Sequence, residues 1–89
     1  MTIKTFRKYG EIWVTNTDDT AVMLNFKFIP SIDEVGICVG DSDVNASYGF
    51  WIETIHSVDT NAFYIRAEFP WLAEGEAERI ATEIAEWVK

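Results

Sequence analysis

Apolar residues alternate with other residues along most of this chain until Pro70, after which they recur at three- and four-residue steps. A repeat of two belongs to a strand and a repeat near 3.6 to a helix, so the switch commits the chain to a sheet followed by a helix. Ile12 and Val14 share one face against Glu11, Trp13 and Thr15. Val22, Leu24, Phe26 and Phe28 oppose Met23, Asn25 and Lys27, and Val35, Ile37 and Val39 flank Gly36 and Cys38. Phe50 and Ile52 oppose Trp51 and Ile55, apolar on both faces as in a central strand, and Phe63, Ile65, Ala67 and Phe69 alternate with Tyr64, Arg66 and Glu68. The spacing predicts strands over 2–8, 11–16, 21–29, 35–40, 48–57 and 62–69.

Turn chemistry fills the gaps: Thr17 to Thr20, Pro30 to Glu34, Gly40 to Ser47 and Val58 to Asn61, with a first turn at Tyr9-Gly10 where glycine can adopt a positive φ. Connections this short imply antiparallel pairing, because a parallel crossover needs a dozen residues or more. Beyond Pro70, Ala77, Ile80, Ala81, Ile84, Trp87 and Val88 form one stripe of a helix over 73–88. Glu74, Glu76 and Glu78 near its start and Lys89 at its end suit the helix dipole. A helix of this length does not persist alone and must dock on the sheet. The expected architecture is a single α+β domain, a five- or six-stranded antiparallel meander with one C-terminal helix on one face.

Charge is the second constraint. The 89 residues carry a net charge of −8, and no lysine or arginine lies between Lys27 and Arg66, a stretch holding Asp33, Glu34, Asp41, Asp43, Glu53 and Asp59. Direct binding to nucleic acid or to an anionic membrane is disfavoured, since both need cations, whereas a basic protein partner is favoured. No run reaches membrane-spanning length and no apolar leader follows Met1, which gives a cytoplasmic expectation. Cys38 is the single cysteine, so there is no internal disulfide.

In an up-and-down sheet alternate connections share an end. The loops after Asn16 and Val39 and the entry to the helix then gather Asp18, Asp19, Asp41, Asp43, Glu74 and Glu76 at one pole, with Glu78 beside them. Loop acids also serve solubility, but a surface shaped for that alone mixes signs. A second patch, Trp13, Met23, Trp51 and Tyr64, falls on the face away from the helix among Glu11, Lys27, Glu53, Arg66 and Glu68. Aromatics ringed by charge resemble an interface core, though the N-terminal segment or a second copy would cover them equally well.

Catalytic and metal motifs are weak. Asp41, Asp43 and Asn45 copy the first ligands of a calcium loop, but Ala46 stands where glycine is needed and Ile52 where a bidentate glutamate is needed, so a solvated turn is the simpler reading. His56 has Ser57 and Asp59 nearby, yet strand neighbours point to opposite faces and no nucleophile elbow accompanies them. Cys38 between Ile37 and Val39 reads as a small buried apolar residue. The expectation is no enzyme, no cofactor and no metal.

Together these features predict a small acidic inhibitor occupying a basic, nucleic-acid-binding surface of a partner protein, as anti-defence proteins of phages and mobile elements do. That comparison rests on size and charge. The alternatives are an immunity protein or antitoxin capping a cationic toxin, and a structural module that homodimerises through its sheet face.

Overall fold

The computed structural model describes residues 9–40 and 50–88. Four strands, β1 (Tyr9–Thr15), β2 (Ala21–Ile29), β3 (Glu34–Val39) and β4 (Phe50–Glu53), form an antiparallel sheet in the order β1-β2-β3-β4. Two helices follow, α1 (Val58–Glu68) and α2 (Glu76–Trp87). Cross-strand pairing places Ile12 opposite Leu24, Phe26 opposite Ile37 and Val35 opposite Ile52, which puts every alternate apolar residue on one face. That face meets Ala62 and Ile65 of α1 and Ala77, Ile80, Ala81 and Ile84 of α2 in one continuous core. Burying each larger aliphatic there contributes roughly 1.5–3 kcal/mol, which offsets the ordering of two short helices.

The meander and the apolar face agree with the sequence pattern, while the element count differs. The segment expected as a strand over 62–69 is helix α1. Ser57 caps it, its Oγ accepting the Thr60 amide at 3.1 Å. Its buried residues, Asn61, Ala62 and Ile65, follow a helical step, and Phe63, grouped with Ile65 and Phe69 on one face of the expected strand, is 61% exposed. Over seven residues an accidental alternation of aromatics and β-branched residues mimics a strand; the capping serine and the following Asp59 are the local signals that overrule it. Of the central strand expected over 48–57, residues 48 and 49 lie outside the described residues; the described part is β4, which stops at Glu53 and stands last in the strand order, and Ile55 beyond it is among the exposed apolar residues. The strand expected over 2–8 lies outside the described residues.

Gly10 is not a turn. It sits within β1 opposite Phe26, and the glycines of positive φ among the described residues are Gly40 and Gly75. Gly10 is small for a packing reason: a Cβ there would overlap Cε1 and Cζ of the Phe26 ring. That ring stacks on Trp87 of α2, centroids 4.0 Å apart and planes 14° apart, so it has little room to retreat. Gly75 meets the other need, entering α2 at φ 86°. Gly10→Ala is expected to destabilise the fold by about 1–3 kcal/mol through overpacking. Chemical denaturation with tryptophan fluorescence measures it, and the companion Phe26→Leu in the same chain should recover part of the loss.

Candidate functional site

β1 runs toward one end of the molecule, and the chain returns there at the end of α1. The two are joined by a bridge between Asn16 and Leu72, by the Thr17 amide donating to the Trp71 carbonyl at 2.8 Å, and by the Ala73 amide donating to the Thr15 carbonyl at 2.9 Å. The β1–β2 turn therefore lies beside the entry to α2. Asp18, Asp19 and Glu74 are all exposed there. Asn16 shapes the turn by accepting the Asp18 and Thr20 amides at 3.0 Å each, and Asp19 takes the left-handed conformation at φ 69°. Gly40 reaches the same end, its amide donating to the Met23 carbonyl at 2.7 Å. Asp41 and Asp43, with Asn45, lie outside the described residues.

Glu76 and Glu78, expected as free partner-binding carboxylates, are engaged within the fold. Glu76 is 15% exposed and accepts the Thr15 amide through Oε2 at 2.6 Å and Arg79 Nε through Oε1 at 2.8 Å. Arg79 in turn donates to the Trp13 carbonyl at 2.6 Å and approaches Glu83 at 3.7 Å. Glu78 pairs with Arg66 of α1. Arg79 holds the Glu76 carboxyl below its ordinary value, the Thr15 amide adds to this, and partial burial opposes it. A helical first turn rich in acids gives no hint of the bond to β1, because the Thr15 amide lies over sixty residues away in the chain.

The aromatic patch divides in two. Trp13 faces Met23 across β1–β2 and is 59% exposed. Trp51 lies on β4, at the far side of the sheet, and Tyr64 is on α1, not on a strand. Those two come together: with Phe50, Ile52, Glu53 and His56 they line a pocket of about 240 Å³. Asn61 ties α1 to the end of β4, since its Nδ2 donates to the Glu53 carbonyl at 3.0 Å. His56 Nε2 lies 3.3 Å from Glu53 Oε2, and its ring is 6.4 Å from that of Tyr64. Sequence reading missed this pocket because it placed Tyr64 on a strand. A capping serine at Ser57 would have revealed it by making α1 a helix.

Ser57, which stands beside His56, gives its hydroxyl to capping α1 and to Thr60 Oγ1 at 3.0 Å. Among the described residues no three His, Cys, Asp or Glu side chains are grouped to hold a metal, and no helix is long and apolar enough to cross a membrane. Comparison with protein-family models, curated proteins and solved structures yields no match.

The proton equilibrium of Glu76 is testable. Its folded value lies below that of the unfolded chain, so it contributes stability above about pH 4.3 and loses it as pH falls through the lower folded value. Glu76→Gln should lower Tm at pH 7 by about 5–10 °C, allowing for the partial exposure of Arg79. The gap between wild type and variant should narrow below about pH 4 in thermal melts.

Proposed function

We propose that this chain is a small acidic, non-catalytic binding protein that occupies a basic surface of a partner protein, one shaped to hold nucleic acid. The observation that carries this reading is a surplus of exposed carboxylates that no described lysine or arginine neutralises. All the acids but Asp41 and Asp43 lie among the described residues, against Lys27, Arg66 and Arg79 as the described cations. Both arginines are committed to glutamates of α2. Asp18, Asp19 and Glu74 at one end, and Asp33, Glu53 and Asp59 elsewhere, are exposed and pair with no lysine or arginine among the described residues.

Carboxylates on turns can stand where phosphates stand, and a field of one sign raises the encounter rate with a cationic groove. An inhibitor that displaces nucleic acid and an immunity protein that caps a cationic toxin use the same physics, so charge leaves both inside this reading. Self-association is the competing reading, favoured by the exposure of Trp13 beside Met23.

A pull-down at about 50 mM salt, eluted at about 500 mM salt or with duplex DNA, tests the proposal. A basic nucleic-acid-binding protein released by both supports it. The variant Asp18→Lys, Asp19→Asn, Glu74→Lys, which keeps a residue tolerant of the left-handed conformation at 19, should weaken that binding about tenfold or more, mainly through slower association. Capture unaffected by salt and by the variant would contradict the proposal, and a tight salt-resistant dimer in light scattering would favour self-association.

A further inference from the structure

We propose that the pocket between β4 and α1 receives a single cationic side chain, arginine or lysine, presented by a protein partner. This rests on the basic partner proposed for the chain as a whole and names where one of its side chains is held.

The first support is the lining. Trp51, Tyr64 and Phe50 line the pocket with aromatic rings, and Glu53, whose Oε2 lies 3.3 Å from His56 Nε2, supplies a carboxylate. Aromatic faces carry the negative lobe of the ring quadrupole and attract a guanidinium or ammonium group, more strongly where water is partly excluded. At about 240 Å³ the pocket lies below the range of roughly 300–1,000 Å³ usual for small-molecule clefts, a scale suited to one side chain.

The second support is charge. Glu53 stands directly opposite Glu34 across β3–β4, and like charges so placed repel each other. Among the described residues no lysine or arginine lines the pocket. Lys27, on the same sheet face two strands away, has its Nζ 5.9 Å from the centre of the Tyr9 ring at the other side of the sheet. A cation entering beside Glu53 would relieve the Glu34–Glu53 repulsion and find aromatic surface at once. The third support is exposed apolar surface next to it: Phe63 meets the pocket residue Tyr64 edge to face at 5.8 Å, and Ile55, which precedes His56 in the chain, is 74% exposed. They offer apolar contact to the backbone around the inserted side chain, as residues around an interface anchor do.

The test is an amide and indole NMR titration of the full chain with three blocked peptides, acetyl-Gly-X-Gly-amide, where X is arginine, lysine or citrulline. Citrulline keeps the shape of arginine and removes its charge. The proposal expects saturable shifts at the Trp51 indole and at His56 and Tyr64 with arginine or lysine, and at least fivefold weaker binding of the citrulline peptide. Glu53→Gln should weaken the arginine peptide about fivefold, and Trp51→Leu by a similar factor. Glu53→Gln keeps the shape of the exposed side chain and leaves the core untouched, so it decides the matter even where Trp51→Leu unfolds. Equal binding of arginine and citrulline overturns the proposal, as does the absence of any shift at the pocket. Shifts confined to 17–20 and Glu74 also overturn it while leaving the broader acidic-binding reading standing. Conversely, pocket binding that persists when the charge variant of the other end abolishes salt-sensitive capture would support the pocket by itself.

Discussion

At the first turn of α2, Glu76 accepts the Thr15 amide while Arg79 donates to the Trp13 carbonyl. One helix thus supplies side-chain partners to two backbone groups of β1. An uncovered edge strand invites pairing with other chains, and its backbone groups are costly to leave unmet once water is partly removed. The main-chain bonds from Thr17 to Trp71 and from Ala73 to Thr15 extend the same seam. With α2 fixed at that seam, its apolar stripe has one direction in which to lie, across the sheet face, and Trp87 at its far end reaches the Phe26 ring that Gly10 leaves room for. The start of α2 and the acidic β1–β2 turn are thus held together at one anchored corner.

That anchoring divides the acids into two populations. Glu76 and Glu78 hold α2 to β1 and to α1, and their charge is answered by Arg79 and Arg66. Asp18, Asp19 and Glu74 sit within the same neighbourhood with no described arginine left for them. Surface ion pairs contribute little each, so the structural value of the first population lies in the backbone groups Glu76 and Arg79 satisfy more than in the ion pair itself. In the second population Asp18 accepts the Thr20 amide at 3.2 Å within the turn, and none of the three side chains is buried in the core, so gathering like charges there carries a cost. A protein that carries such a cost gains a field, and the field acts on whatever cation approaches.

Much of this was legible in the chain. The alternation in β1 to β3 is long and bounded by turn residues, and Ile12, Leu24, Phe26, Val35 and Ile37 are buried as the pattern requires. The stripe of α2 was equally plain, because Ala77, Ile80, Ala81 and Ile84 extend over two turns. α1 was not, since its buried set is short and its exposed Phe63 and Tyr64 imitate a strand. Propensity is a weak guide at that length, and the serine cap decides. The common placement of Asp18, Asp19 and Glu74 followed from up-and-down order even though the element before Glu74 is a helix, because α1, like the strand expected there, carries the chain back from the end of β4 to the end where β1 meets β2. What sequence could not disclose was which acids are consumed, since the Thr15 amide that binds Glu76 and the Arg66 guanidinium that pairs with Glu78 are brought near by folding.

The central claim is that the fold leaves its negative charge uncompensated, and the dependence of stability on sodium chloride reads this most directly. Screening weakens both the repulsion among free carboxylates and the attraction in the ion pairs, so the sign of the change reports which dominates. With such a surplus, Tm at pH 7 should rise as sodium chloride is raised from about 10 mM to about 500 mM. A Tm that falls over that range would mean that attractive pairs prevail and that the molecule has no free negative field to offer a partner.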